Sequence, residues 1–347
     1  MRKLIPILLI AIGIGCTNRA SKNDAEEEPG ARLQSLLNPA NDAPQQADEP
    51  PDPKNPVDLR QRGNQLFAQG DLDQAIEWYS ASLGVKEDAK TYFNRGVAYM
   101  SKNEPEKALA DYDKAVELDP KEASPLINRG LLLHQMGKTA QGINDMTAAM
   151  KLDAKDASIA LNRGLLYSSI AMHDRAIADF TQAVAVDPKY ADAYINRGFC
   201  LHRKKQFKAA VEDFTKAIEL APLSALAYSN RGNAYTQLGD YAKALADHHE
   251  AIRLEPRNAQ YYNNRGSTYG AKDDHTKAAS DFDRAIELAP EYAPAYRNRG
   301  HAHHALGEKG RAGADFSIAR QLEPGVIDGI PQEYLLAIPT SNRSVDR

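Results

Sequence analysis

The triplet Asn-Arg-Gly recurs every 34 residues, and this period constrains the fold more than any other feature of the chain. A divergent copy, Gln61-Arg62-Gly63, lies upstream of the first complete one. A unit of this length cannot bury a core alone, so neighbouring units must stack on one another. The complete copies begin at Asn94, Asn128, Asn162, Asn196, Asn230, Asn264 and Asn298.

Apolar residues keep fixed distances from each glycine and predict two helices per unit. Around Gly96, for example, Tyr92 and Tyr99 share one helix face. Alanines follow at two later positions, and the residue between them is large: Tyr79, Tyr112, Met146, Phe180, Phe214, Phe282 and Phe316. A proline then ends the second helix because it lacks an amide donor. These prolines are Pro120, Pro188, Pro222, Pro256, Pro290 and Pro324.

This helix-turn-helix unit resembles the tetratricopeptide repeat. The resemblance implies an all-α fold, an α-solenoid wound as a right-handed superhelix of about eight hairpins over residues 56–324. The third copy departs most, with Gly142 and Ala154 where other copies have Ala and Pro. Residues 325–347 are expected to form a capping segment, rich in apolar residues around Tyr334, and a disordered tail.

An arginine and an aspartate also recur on the faces that the two helices bury. A buried guanidinium needs a carboxylate, so we expect a ladder of ion pairs within or between hairpins that acts as framework. The arginines are Arg95, Arg129, Arg163, Arg197, Arg231, Arg265 and Arg299. The aspartates are Asp111, Asp145, Asp179, Asp213, Asp247, Asp281 and Asp315.

Charge and motif content argue against nucleic acid and against catalysis. Lys and Arg number 43 against 47 Asp and Glu, a net charge of -4, so no overall field favours nucleic acid. There is no glycine-rich phosphate loop, nucleophile elbow or zinc-protease motif. His301, His303 and His304 cluster without a Cys or carboxylate at metal spacing. We therefore expect no enzyme activity, metal or cofactor.

The first residues have the pattern of an export signal. Arg2-Lys3 precedes an apolar stretch, Leu4 to Ile14, that is too short to span a bilayer and ends at Gly15-Cys16. This resembles the lipobox of bacterial lipoproteins, which implies a signal peptide over residues 1–15 and acylation of Cys16. Gly13 stands where that family usually has Leu, so an ordinary cleaved signal or an uncleaved anchor stays open.

The lipoprotein resemblance also predicts where the protein resides. Thr17 after the cysteine implies an exported, membrane-tethered protein on the periplasmic face of the outer membrane. Residues 16–55 then form the acylated Cys plus a proline-rich, acidic tether that is expected to be disordered.

In tetratricopeptide solenoids the first helices line a concave groove, and here the recurrent asparagines fall on that face. They resemble the asparagine ladder of the O-linked N-acetylglucosamine transferase solenoid, whose amides hold the backbone of an extended peptide. The predicted site comprises Asn94, Asn128, Asn162, Asn196, Asn230, Asn264 and Asn298. The alternative is that these amides only bond neighbouring helices.

The positions beside the asparagines change along the chain. Repeats two to five carry apolar pairs, which predict an exposed stripe for an amphipathic or hydrophobic segment: Phe93 with Val97, Ile127 with Leu131, Leu161 with Leu165, and Ile195 with Phe199. Repeats six to eight carry polar residues there. The alternative is that the apolar pairs pack between adjacent first helices.

The first hairpin also resembles domains that clamp chaperone carboxyl termini. Arg60, Asn64 and Asn94 match three clamp positions, but Ser124 and Asn128 stand where two basic residues are needed. The sequence thus favours a non-catalytic adaptor of the bacterial cell envelope that binds a protein or peptide. A self-associating structural or assembly scaffold is the alternative, and the oligomeric state is left open.

Overall fold

A computed structural model describes residues 52–325 and 330–335, except the side chain of Glu333. Over this part of the chain the ordered elements are helices, without strands. The first eight are α1 (Pro56–Gln69), α2 (Leu72–Val85), α3 (Ala89–Ser101), α4 (Pro105–Leu118), α5 (Ala123–Gln135), α6 (Thr139–Leu152), α7 (Ala157–Ser169) and α8 (His173–Val186). The others are α9 (Ala191–Arg203), α10 (Phe207–Leu220), α11 (Ala225–Gln237), α12 (Tyr241–Leu254), α13 (Ala259–Ala271), α14 (His275–Leu288), α15 (Ala293–Ala305), α16 (Lys309–Leu322) and the short α17 (Gln332–Leu335).

The long helices pair into eight hairpins, α1 with α2 through α15 with α16, which we number one to eight. They fall into two compact units. Within the described residues, unit one ends at Pro188 and holds hairpins one to four. Unit two begins at Lys189 and holds hairpins five to eight with α17. The expected all-α solenoid of about eight hairpins is confirmed.

Local sequence explains where the helices begin and end. Asp71 caps α2 by accepting a hydrogen bond from the Gln74 amide, and Ser224 caps α11 in the same way through Ala227. Second helices such as α4 and α10 stop two residues before their prolines. Among the described helices, none has the length and apolar character needed to cross a membrane.

Each hairpin turns through one residue with a left-handed backbone. Gly70 serves in hairpin one (φ 79°), and this conformation costs glycine little because it lacks a Cβ. In hairpin four the turn residue is Ala171 (φ 59°). A residue other than glycine is thus tolerated there because the flanking helices determine the turn.

The glycine of each Asn-Arg-Gly triplet is required by packing. The ring of Phe180 lies against Gly164, where a Cβ would come within 2.6 Å of the ring carbon Cε1. Seven hairpins place a ring against this glycine. The spacing of residues in the sequence does not predict this contact. In hairpin six the ring is that of His248, a residue absent from the expected set of large residues.

Hairpin three reaches the same fold with different residues. Met146 replaces the ring, and the backbone of Gly142 approaches the carbonyl oxygen of Gly130 directly. The two glycines let the backbones of α5 and α6 approach each other closely, since a Cβ at Gly142 would come within 2.4 Å of the Gly130 carbonyl oxygen. The weakest copy in sequence is therefore a complete hairpin in structure.

The segment after α16 packs on the last hairpin. Ile330 and Tyr334 are buried against Ala312 and Phe316, and the Tyr334 hydroxyl lies 3.0 Å from Nδ1 of His304. These contacts cover apolar surface that hairpin eight would otherwise leave open. Residues 1–51, which include the signal-type segment, Cys16 and most of the tether, lie outside the described residues, as do residues 336–347.

Candidate peptide-binding surface

The Arg-Asp ladder has the predicted geometry. Arg163 donates from Nε to Oδ2 of Asp179 at 2.8 Å and from Nη2 to Oδ1 at 2.7 Å. The same two-bond pair joins Arg95–Asp111, Arg129–Asp145, Arg197–Asp213, Arg231–Asp247, Arg265–Asp281 and Arg299–Asp315. These hydrogen bonds raise the pKa of Arg163, against the opposing effect of burial.

In several of these arginines the remaining guanidinium nitrogen, Nη1, donates to a side chain of the preceding hairpin. Nη1 of Arg95 donates to the hydroxyl of Ser80 at 2.9 Å, and Nη1 of Arg129 donates to Asp113 at the same distance. Arg163 bonds Thr147, Arg231 bonds Thr215 and Arg299 bonds Asp283 in this way. The ladder therefore acts both within and between hairpins, as a framework.

The apolar stripe is mostly internal, which corrects the expectation that it would be exposed. Phe93 is 5% exposed and Val97 is fully buried, packed with Tyr112 and Leu132. The other buried members are Ile127, Leu161, Ile195 and Phe199. The reason is that these positions face the space between helices and complete the core there.

Two apolar side chains of the predicted stripe keep part of their surface free. Leu131 and Leu165 are partly exposed in hairpins three and four. Leu131 packs at the edge of the cluster formed by Leu126, Ile127 and Met146. The apolar surface that remains for a partner in unit one is therefore small.

The asparagines divide into two groups. Asn94, Asn128 and Asn162 of unit one are buried, whereas Asn196, Asn230, Asn264 and Asn298 of unit two are half-buried. In unit one, Asn94 donates to Oδ1 of Asn64 at 2.9 Å. The side-chain nitrogen of Asn128 is buried with no hydrogen-bond partner.

In unit two, asparagine amides bond across neighbouring first helices. Nδ2 of Asn264 donates to the hydroxyl of Ser229 at 3.0 Å, and Nδ2 of Asn298 donates to Oδ1 of Asn263 at 2.9 Å. Asn196 instead donates to the carbonyl of Asp192 on its own helix. These asparagines thus have a structural role. Because they are only half-buried, part of their surface also remains accessible to a ligand.

The positions that resemble a chaperone clamp are engaged inside the protein. Arg60 is buried and pairs with Asp88 at 2.8 Å. Oδ1 of Asn64 accepts from both the Tyr79 hydroxyl and Asn94. These side chains therefore hold the first two hairpins together.

The histidines of hairpin eight have separate partners. His303 pairs with Glu308, His304 with the Tyr334 hydroxyl, and His301 packs edge-on against Phe316. Within the described residues, no group of three or more His, Cys, Asp or Glu side chains is placed to hold a metal ion.

The fold and its first-helix surface are those of a helical-hairpin repeat scaffold. Two models of the tetratricopeptide repeat match, one at residues 89–122, 191–222 and 225–258 and the other at 157–190 and 259–292. Hairpins two, four, five, six and seven are therefore tetratricopeptide repeats, and the chain is a tetratricopeptide-repeat solenoid. Such repeats mediate interactions between proteins.

Similar proteins share only short stretches with this chain. Tetratricopeptide repeat protein 12 of Mus musculus is 40% identical over 62 residues, which is 18% of this chain and 9% of that protein. The heat shock protein sti1 homolog of Schizosaccharomyces pombe is 36% identical over 70 residues, 20% of this chain and 12% of that protein. The matches thus span about a tenth of these relatives.

Solved structures share the fold. A tetratricopeptide repeat protein from Parabacteroides merdae ATCC 43184 superposes with a TM-score of 0.54 at 22% identity, over 73% of this chain and 98% of that one. The pilF protein of Pseudomonas aeruginosa gives a TM-score of 0.51 at 18% identity, over 58% and 92%. At these identities the likeness is one of fold.

Proposed function

We propose that the protein is a non-catalytic adaptor that holds an extended peptide segment of a partner against its first helices. The observation that carries this proposal is the row of half-buried amides in unit two. Asn264 and Asn298 use Nδ2 to bond Ser229 and Asn263, and each bond sets the orientation of the whole carboxamide. An oriented carbonyl oxygen can accept from a peptide amide regardless of the peptide's side chains.

Preorganisation makes this surface favourable for binding. A side chain that is already held in one rotamer loses little freedom when a ligand arrives. Asn230 and Asn196 continue the row of amides in hairpins six and five. The proposal therefore places backbone recognition in unit two, with the buried asparagines of unit one contributing to the framework.

Unit one offers a smaller apolar contact of its own. Leu131 and Leu165 expose part of their side chains on successive first helices. They would accept one apolar side chain of the partner, which is less than the four-hairpin stripe expected from the sequence. The relatives with chaperone-related names, such as the sti1 homolog, are consistent with protein binding in general.

The test is binding of peptides selected from a random library displayed on phage against the purified protein. Affinities of selected peptides are measured by calorimetry for the native protein and for the Asn264→Ala, Asn298→Ala double variant. Two lost hydrogen bonds of about 0.7 kcal/mol each should weaken binding roughly tenfold. Lys216→Ala, on the exposed face of α10, is the matched control and should bind like the native protein.

The opposite result is equally clear. Equal affinity in the double variant would exclude the amide row of unit two as the peptide site. A Leu131→Glu, Leu165→Glu variant then tests whether the peptide binds to unit one. Two carboxylates at these partly exposed positions should disfavour contact with an apolar side chain and weaken such binding. Circular dichroism of every variant establishes that the helices are intact.

The cellular setting is a separate part of the proposal. Arg2-Lys3, the apolar stretch and Cys16 support an exported protein tethered by a lipid on Cys16, and Thr17 supports a place on the periplasmic face of the outer membrane. Mass spectrometry of the protein purified from bacterial membranes should find acyl groups on Cys16. Cys16→Ala should remove both the modification and the membrane association, and an unmodified native protein would contradict this assignment.

A further inference from the structure

Hairpin six contains a histidine where the other hairpins place phenylalanine, tyrosine or methionine. His248 is fully buried, and neither ring nitrogen has a hydrogen-bond partner. Its ring lies against Gly232, where a Cβ would come within 2.7 Å of Cε1, as the phenylalanine rings do against their glycines. An imidazole therefore occupies a site shaped for an aromatic hydrocarbon, and its polar atoms are unsatisfied.

The surroundings of His248 oppose a positive charge. Burial, then Arg265 on α13 and then His249 on its own helix lower the pKa of His248 to about 3. The framework carboxylates of hairpins six and seven are already paired: both oxygens of Asp247 accept from Arg231 on α11, and both oxygens of Asp281 on α14 accept from Arg265. A proton on buried His248 would thus face the positive charge of Arg265.

The next residue weakens the same junction in a second way. In other hairpins the position of His249 holds Ser80, Asp113, Thr147, Thr215 or Asp283, which accepts from the arginine of the following hairpin. His249 instead donates from Nδ1 to the carbonyl of Leu245 on its own helix at 2.6 Å. Hairpin six thus offers Arg265 a basic ring where its counterparts offer an oxygen.

We propose that the junction between hairpins six and seven is a pH-responsive joint that opens as the medium becomes acidic. The bonds across it join α11 to α13: Thr236 to Thr268 at 2.8 Å, and Asn264 to Ser229. Opening exposes His248 to water, where it can take up a proton. Acid therefore favours the open form at this junction over the closed one.

The direction of the effect follows from proton linkage. The closed form binds a proton only near pH 3, whereas an exposed histidine binds one near pH 6.5. The contribution of neutral His248 to stability is fully present above about pH 6.5 and is lost as the pH falls toward 3. The opening constant rises about tenfold for each pH unit in this window.

The experiment is amide hydrogen exchange with mass spectrometry at pH 7.5 and pH 5.0, corrected for intrinsic exchange rates. In the native protein the opening constants of α12 and α13 should rise roughly 30-fold at pH 5.0, and those of α3 and α4 should change much less. His248→Phe restores the residue type of the neighbouring hairpins and should abolish the extra rise in α12 and α13. Phe282→His should create a similar acid-sensitive rise in hairpin seven.

Two results would overturn the proposal. One is the same pH dependence of α12 and α13 in the native protein and in His248→Phe. The other is no pH dependence beyond that of α3 and α4 in the native protein. The measurement uses no peptide, so its result does not depend on the proposed binding function. If that function is correct, opening of the junction would in addition release a peptide bound to the row of asparagine amides.

Discussion

Arg163 on α7 and Asp179 on α8 form two parallel hydrogen bonds, of 2.8 and 2.7 Å, across hairpin four. The carboxylate is almost fully buried, with 6% of its side chain exposed. Arg163 also donates to Thr147 of hairpin three at 3.2 Å. One arginine thus closes its own hairpin and attaches it to the preceding one.

Replacement of this arginine should be costly. Arg163→Ala leaves the Asp179 carboxylate buried without its cation, and the free energy of unfolding should fall by about 3 kcal/mol. Urea denaturation followed by circular dichroism measures this change. Lys216→Ala, which removes only the exposed pair with Glu219, should have no measurable effect. Similar losses from the two variants would contradict a buried framework role.

The close approach of α5 and α6 in hairpin three predicts a strict requirement for glycine. A Cβ at Gly142 would overlap the carbonyl oxygen of Gly130, which is backbone and cannot rotate away. Gly142→Ala should therefore destabilise the protein by about 2 kcal/mol in thermal or urea unfolding.

Gly84 provides the matched control for this substitution. It lies near the end of α2 with nothing within 4 Å of its Cβ position. Gly84→Ala should stabilise the protein by about 0.5 kcal/mol, because alanine loses less backbone freedom in a helix. If Gly142→Ala were also stabilising, the helices of hairpin three would be farther apart than described.

Asn64 supports two buried donors at once, the Tyr79 hydroxyl and the Asn94 amide, each at 2.9 Å. Asn64→Leu should lower the free energy of unfolding by about 2 kcal/mol, because both donors lose this acceptor. Tyr79→Phe removes only one of these bonds and should cost about 1 kcal/mol. An Asn64→Leu variant as stable as the native protein would show that Asn64 is available for a ligand instead.

The contact of Tyr334 with hairpin eight predicts a local effect. Tyr334→Ala removes the ring that packs on Phe316, with ring centres 5.0 Å apart, and should weaken α15 and α16 by about 3 kcal/mol. Hydrogen exchange should rise in these two helices and remain unchanged in α9 and α10. Tyr334→Phe keeps the ring and loses the bond to His304, so it should cost about 1 kcal/mol. Unchanged exchange in the alanine variant would mean that the segment does not support the last hairpin.

Much of the fold could be predicted because the same residue types recur at the same positions of each repeat. The prolines that end the second helices and the Arg-Asp pairs were identified from spacing alone, since helix periodicity determines which residues share a face. The burial of His248 could not be predicted, because a polar residue at one position of the repeat does not by itself reveal whether its ring is enclosed.

The candidate site was predicted less well than the fold. Phe93 and Val97 were expected to be exposed and are buried, because the angle between neighbouring first helices decides which flank of a helix faces solvent. The partner of an amide is equally hard to infer. Asn298 finds its acceptor on Asn263, one hairpin earlier, and spacing along the chain does not reveal which atoms of two helices come within bonding distance.

The sequence by itself determined the unit, its period and its polar framework, because the repeated spacing of Gly, Ala, Arg, Asp and Pro encodes local helix geometry. Tertiary structure alone decided which asparagines remain accessible and which apolar residues become core. It also decided that the imidazole of His248 is fully buried with no hydrogen-bond partner, since burial and the distance to neighbouring charges depend on how hairpins stack.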